Sequence, residues 1–276
     1  VVLWAVTALN LSAQDFSSKW LFGSAYNSKM KATWETEHYL MATVSGQGVM
    51  KAVTADGGDL ADYRVLNGRA AAGPFNTGDC FLFEIPAEGA QAGSFVSFDA
   101  TLSANPGAPM HWVVEWKDGG RWVPGRQYVC HGPALGKDHK YTTVHQTYRL
   151  KEDPEDALVS VRLRALDGAV ISPAEGVDSD AMAMFVTSPY IGAYVMDYGM
   201  VAPKDTTKVL CIGNSFTYYQ SCPQMLKDIA WKEGHYLDVS ASLKGGWSMG
   251  KHLTYPTTED EIGRGGYDVV ILQDQS

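Results

Sequence analysis

Val209-Leu210-Cys211-Ile212-Gly213-Asn214-Ser215-Phe216-Thr217 decides how the carboxyl-terminal part of this chain is read. The apolar run Val209–Ile212 has the composition of a buried strand and ends on Gly213. A helix is expected from about Pro223 to Glu233, with proline in its first turn, Gly234 just past its end, and Leu226, Ile229 and Ala230 as a narrow apolar stripe. A serine at such a strand-to-helix turn stands at the carboxyl edge of a sheet, beside helix N–H groups that favour developing negative charge. That arrangement suits acyl transfer. Gly-Asn-Ser is also ordinary turn chemistry, because Asn and Gly form turns and Ser caps helices.

Two later stretches bear on the choice. Ser240-Ala241-Ser242-Leu243-Lys244-Gly245-Gly246-Trp247-Ser248 reads as a strand, Leu237–Ala241, running into a glycine turn, and Tyr267-Asp268-Val269-Val270-Ile271-Leu272-Gln273-Asp274-Gln275-Ser276 as a further strand, Asp268–Leu272, ending in amides. Three apolar strands in this order, each ending in a serine, a glycine or an amide, resemble blocks I, II and III of the SGNH (GDSL-like) hydrolases. The resemblance implies that Ser215 is the nucleophile. It implies an oxyanion hole made by the N–H of Ser215, the N–H of Gly245 (Gly246 as fallback) and the side-chain amide of Gln275. It also implies a flavodoxin-like parallel sheet. Block I carries Asn214 where the family has Asp, and block III carries Gln where the family has Asn; the longer arm serves only if the backbone lies farther back. The family's general base lies in a late Asp-x-x-His block, and none of the seven histidines follows block III in such a sequence. His235 reads as a helix-terminal cation, and His252 as a cap or solvent-facing residue near the glycine turn. The α/β domain, residues 206–276, is therefore expected to be truncated after block III, with the catalytic histidine and acid beyond it, the fragment itself inactive and its exposed sheet edge prone to aggregate.

Residues 1–13 form a short apolar run ending in small side chains, which reads as the remnant of a secretory signal peptide; an amino-terminal strand is the alternative. The run is too short to span a membrane. The expected location is accordingly exported: periplasmic, cell-surface or extracellular. A net charge of −9 argues against nucleic acid or anionic membrane as the main partner, since both call for basic surface. Four scattered cysteines make neither a disulfide framework nor a paired zinc site. A Cys80–Cys130 bridge stays open, and Cys211 is expected to be a small buried strand residue.

Residues 14–200 read as an all-β sandwich, jelly-roll or galactose-binding-like. Candidate strands are Glu37–Val44, Cys80–Ile85, Phe95–Leu102, Met110–Trp116, Tyr141–Leu150, Leu158–Ala165 and Met182–Val186, separated by turn signals such as Asp118-Gly119-Gly120 and Asn105-Pro106-Gly107. Val159–Ala165 alternates with period two, which puts its aliphatic side chains on one face and Arg162 and Arg164 on the other. Trp112, Trp116, Trp122 and Tyr128 cluster around one hairpin. Exposed aromatic faces could stack on sugar rings, yet Trp112 and Trp116 share strand parity and fit a buried face equally well, with core packing the preferred reading, while Trp122, beside the glycine turn, is the better candidate glycan-binding side chain. Asp56, Asp59 and Asp62 form an acidic loop that reads as solvated rather than as a calcium site. Tyr198–Thr206 is the candidate linker.

The expected architecture is thus multidomain, a β-sandwich followed by a truncated α/β unit. The expected function is an exported serine esterase that removes O-acetyl or other acyl groups from carbohydrates through an acyl-serine intermediate, with acylated carbohydrate or a small ester as partner and no metal or cofactor. The alternative is a non-catalytic glycan-binding protein with a decayed hydrolase-like domain. A nucleotide-binding unit is disfavoured, because neither Gly-x-Gly-x-x-Gly nor a phosphate-loop lysine follows the first strand.

Overall fold

A computed structural model describes residues 15–21, 41–42, 48–60, 64–66, 69–105, 107–132, 140–166, 184–194, 206–218, 222–232 and 235–274. The leader 1–13, the linker up to 205, Asp62 and Gln275 lie outside the described residues. In chain order the strands are β1 (Asp15–Leu21), β2 (Met41–Ala42), β3 (Val49–Val53), β4 (Arg64–Leu66), β5 (Arg69–Ala72), β6 (Cys80–Pro86), β7 (Phe95–Ala104), β8 (His111–Asp118), β9 (Arg121–Val129), β10 (Thr142–Arg149), β11 (Leu158–Ala165), β12 (Met184–Tyr194), β13 (Thr207–Gly213), β14 (Leu237–Leu243) and β15 (Val269–Leu272). The helices are α1 (Ser215–Tyr218), α2 (Cys222–Lys232), α3 (Met249–His252) and α4 (Pro256–Arg264).

Two antiparallel sheets enclose the larger core. One runs β10-β7-β12-β1-β2, with β5 also on β12 and β4 on β5; the other runs β3-β6-β11-β8-β9. Alternation along each strand explains the packing. Phe81, Phe83 and Ile85 of β6, Trp112, Val114 and Trp116 of β8, and Val159, Val161 and Leu163 of β11 point inward to meet Val96, Phe98, Ala100 and Leu102 of β7 in one cluster. Phe83 meets Phe98 across the two sheets with ring centroids 4.9 Å apart, and Phe75 meets Trp112 edge-on at 5.2 Å. Trp112 and Trp116 are core residues, as their parity predicts. The β8–β9 hairpin turns on Gly119 and Gly120, at φ +55° and +72°. Two successive left-handed residues match the twist of the flanking strands, which is why the turn falls on a glycine pair. Asp118 secures this corner by accepting the Tyr148 hydroxyl at 2.6 Å and the N–H groups of Lys151 and Glu152.

The smaller sheet is parallel, ordered β14-β13-β15, with β13 paired to both neighbours. Val209, Cys211, Val239, Ala241 and Leu243 form its own apolar cluster with Leu226 of α2. The helix begins one residue before Pro223, which is buried, and the expected apolar stripe is only half right: Ile229 is 61 % exposed, whereas Lys227 is fully buried. The reason is tertiary. One flank of α2 covers the parallel sheet, and another meets the outward face of the sandwich, where Ser97 and Asp99 of β7 and His145 of β10 wait for a cation. Lys227 Nζ donates to Ser97 Oγ at 2.7 Å and to both Asp99 oxygens at 2.9 and 3.1 Å, while His145 Nδ1 bonds Asp99 from the neighbouring strand. Burial by itself would raise the Asp99 carboxyl, but the Lys227 and His145 partners outweigh it and hold the group below the ordinary carboxylate range. Arg126 of β9 reaches Asp238 at 2.9 Å and Ser240 of β14, and Tyr255 and Thr257 at the start of α4 hold the Tyr141 carbonyl at 3.0 and 2.9 Å. Polar groups thus join the parallel unit to the sandwich.

All four cysteines are free, so no Cys80–Cys130 bridge exists. Burial raises the Cys80 and Cys211 thiols to about 11 and Cys130 to about 12, which makes each a small apolar filler. All four residues of β15, Val269 to Leu272, are exposed, although a continuous apolar run is the mark of a parallel strand covered on both faces.

Candidate functional site

Two places on the molecule carry chemistry. The first is the carboxyl edge of the parallel sheet. Strand β13 is central, the chain leaves it to build β14 on one side, and it later returns to build β15 on the other. Crossovers diverge at the end of β13, and in open α/β sheets that divergence opens a crevice beyond the strand ends. Register puts Gly213 level with Leu243, and Ile212 with Leu272, so Ser215, Gly245 and Gln273 follow from the same edge.

Ser215 is the first residue of α1, half-buried, and its hydroxyl has no hydrogen-bond partner among the described residues. The turn beneath it is held from several sides. Asn214 is fully buried: its Oδ1 accepts the Phe216 N–H at 3.1 Å, capping α1, and its Nδ2 donates to the Trp247 carbonyl at 2.9 Å. Asp could cap but could not donate, so the Asn of this Gly-Asn-Ser turn has a structural reason. Gln273 Oε1 accepts both the Asn214 N–H and the Thr217 hydroxyl at 3.1 Å. Gly213 must be glycine, since a Cβ there would lie 2.4 Å from Thr217 Oγ1 and 3.1 Å from Gln273 Oε1. Gly245 lies exposed in the turn after β14.

The described histidines do not complete this site. His252 is buried, contrary to the expectation of a cap or solvent-facing residue. Its Nε2 donates to the Gly213 carbonyl at 3.0 Å, its Nδ1 lies 2.9 Å from Thr258 Oγ1, and Thr258 in turn bonds Ser242 at 2.8 Å. Burial lowers its pKa against the opposing pull of the Gly213 hydrogen bond and Asp274, and both ring nitrogens already have partners, one in the turn and one on α4. His235 precedes β14 and so lies at the opposite, amino edge, just past the end of α2 as expected. Lys244, pushed down to about 8 by burial, lies among the Tyr141, Trp247 and Tyr255 rings at 4.7, 5.6 and 5.8 Å. Among the described residues no histidine addresses Ser215. Gln273 and Lys244 are residues of this site to which the sequence reading gave no role, and His252 was misplaced; the amide reading after β15 fell on Gln275, which lies outside the described residues.

The second place is the outward face of the five-stranded sheet. Because Val161 and Leu163 point inward, Arg162 and Arg164 point outward, joined there by Glu115 and Lys117 of β8 and, opposite Lys117, by Trp122 of β9. Trp122 is half-buried, and the Arg162 guanidinium stacks 4.3 Å from its ring centroid. Glu115 accepts Arg162 Nε at 2.5 Å and Arg164 Nε and Nη2 at 3.0 and 2.6 Å. Burial works against ionisation of Glu115, yet the two guanidinium groups hold its carboxyl below the ordinary range. No group of three or more His, Cys, Asp or Glu side chains among the described residues is placed to hold a metal ion, and Asp56 is turned toward Thr54.

No protein-family model matches the chain, and no curated relative matches it. Solved structures do. The chain is similar to a CBM4 carbohydrate-binding module at 16 % identity, covering 54 % of this chain and 84 % of that one with a TM-score of 0.31. It is similar to the carboxyl-terminal CBM6 of a marine laminarinase from Zobellia galactanivorans at 12 % identity, covering 64 % and 98 % with a TM-score of 0.27. It is also similar to the amino-terminal cellulose-binding domain of a β-1,4-glucanase from Cellulomonas fimi at 11 % identity, covering 56 % and 97 % with a TM-score of 0.31. Likenesses this loose assign no function.

Proposed function

We propose that this chain is an exported glycan-binding protein that uses the outward face of its five-stranded sheet. The observation that carries the reading is Trp122, a half-buried ring among the outward polar side chains of Glu115, Lys117, Arg162 and Arg164. A sugar ring offers an apolar C–H face and a rim of hydroxyls, and an aromatic surface bordered by fixed donors and acceptors matches both. The test is affinity electrophoresis and calorimetry against a panel of soluble polysaccharides. Trp122→Ala is expected to weaken binding by roughly tenfold or more while leaving the melting temperature nearly unchanged, because the ring is outside the core. A variant that binds every retained glycan like the parent sinks the assignment.

A second reading is favoured by the topology of the parallel sheet. Ser215 stands where the crossovers diverge, and an SGNH-type ester hydrolase acting on acylated carbohydrate would place its nucleophile there. Its serine would attack the ester carbonyl, a base from outside the described residues would take the proton, and the N–H groups of Ser215 and Gly245 with the Gln275 amide would receive the oxyanion. Under this reading p-nitrophenyl acetate hydrolysis by the protein falls to the buffer rate in Ser215→Ala, by about a hundredfold or more. Hydrolysis that survives the substitution, or that never exceeds the variant's, leaves the parallel unit as scaffold for glycan binding.

A further inference from the structure

The outward face of the five-stranded sheet differs in charge from the chain that carries it. The chain has a net charge of −9. On this face, however, strand alternation gathers Lys51, Lys117, Arg162 and Arg164 against the carboxylates of Glu84 and Glu115. Glu115 lies at its centre with a side chain only 5 % exposed, and it is already bonded to two guanidinium groups. Glu155 adds a third carboxylate by pairing with Lys117 at 3.0 Å, so the four cations exceed the carboxylates by one.

Arg162 is the member whose chemistry is unfinished. Its Nε is bonded to Glu115 at 2.5 Å, and its central carbon lies over the Trp122 ring, 4.3 Å from the centroid. Its two terminal amino groups have no hydrogen-bond partner among the described residues, and the side chain keeps 24 % exposure. Arg164, by contrast, turns Nε and one amino group onto Glu115. A guanidinium held at one edge and one face presents its remaining edge as a planar fork. That fork matches a carboxylate, which accepts two parallel N–H bonds at once, better than it matches hydroxyls. Fixing the side chain beforehand also removes most of the ordering cost that an exposed arginine would incur on binding.

We propose that Arg162 is the recognition residue for an acidic sugar, and that the glycan taken by this face carries uronate carboxylates. The proposal rests on the glycan-binding reading and names its ligand class. The sugar carboxylate lies against the terminal amino groups of Arg162, and Trp122 supplies the apolar flank for the ring. Lys51 contributes long-range attraction that salt screens.

The test uses calorimetric titration of the whole chain with polygalacturonate, alginate and glucuronan, with the methyl-esterified form of each, and with a neutral β-glucan, in low salt and again in about 0.5 M salt. At least one uronate is expected to bind about tenfold or more tightly than its own methyl ester, with the preference persisting in high salt. Arg162→Lys, which keeps the charge and loses the fork, is expected to erase that preference. The ester comparison requires no variant, so the result holds even where a substitution disturbs folding. Equal binding of acid and ester, or of the neutral glucan, overturns the uronate proposal and leaves glycan binding standing. A preference that vanishes in salt and survives Arg162→Lys shows diffuse charge only and overturns it as well. No binding of any polymer removes both readings.

Discussion

Asp99→Ala is expected to lower the unfolding free energy by about 3–5 kcal/mol, because it leaves the Lys227 ammonium buried without its counter-ion. Lys227 has a side chain 1 % exposed, and Asp99 supplies both oxygens to it. Coulomb attraction across this contact does not make the cluster a source of net stability; the cost arises because one partner cannot be removed without stranding the other. The pairing of Asp99→Leu with Lys227→Met should therefore recover a large share of the loss, a non-additivity readable in a double-mutant cycle by urea denaturation. The pH dependence follows from the same carboxyl. Its folded pKa lies below the unfolded value, so its contribution is fully present above the unfolded carboxylate range, near pH 4, and is lost as pH falls through the folded value. The Asp99→Ala variant should accordingly lack that part of the acid transition. A single substitution costing less than about 1 kcal/mol would mean that the parallel unit is not held to the sandwich by this contact.

Trp112→Ala is expected to cost a similar amount, about 3–5 kcal/mol, through a different cause. The Trp112 ring is fully buried, meets Phe75 edge-on at 5.2 Å, and donates Nε1–H to the Pro109 carbonyl at 2.9 Å. Truncation opens a cavity between the two sheets and orphans a buried carbonyl, and both effects destabilise. Thermal unfolding of Trp112→Ala beside Trp122→Ala separates the two roles of tryptophan in one hairpin. The first should lose stability, and the second should lose ligand while melting like the parent. Equal melting temperatures for the two would contradict the division of core and surface described above.

These two expectations differ in how legible they were. Trp112 was readable because period-two alternation assigns a face to every residue of a strand, and an aromatic on the aliphatic face has nowhere to go but the core. The same rule placed Arg162 and Arg164 outside, and the glycine pair at Gly119-Gly120 announced the hairpin between β8 and β9. The strand-turn-helix at Gly213-Asn214-Ser215 was equally plain, as was the succession of three parallel-type strands. Alternation fails on a helix that touches two bodies at once. On α2 the apolar pattern named Ile229 for the interior and said nothing of Lys227, because the partners of Lys227, Ser97 and Asp99, lie on β7, 130 and 128 positions earlier in the chain. His252 was misread for the same reason: its partner, the Gly213 carbonyl, is 39 positions away.

Local sequence determined, then, what each segment can be, since strand faces, glycine turns, the capped serine turn and the parallel order of the last strands all depend on neighbours within a few residues. Only the tertiary structure decided what those segments are for. It set Ser97 and Asp99 of β7 against Lys227 of α2, bonded the two nitrogens of His252 to the Gly213 carbonyl and to Thr258, and placed Arg162 against Glu115 and Trp122. Each of these depends on which distant groups are brought within hydrogen-bonding reach, and the energy of a buried charge or a fixed guanidinium resides in that company rather than in the residue itself.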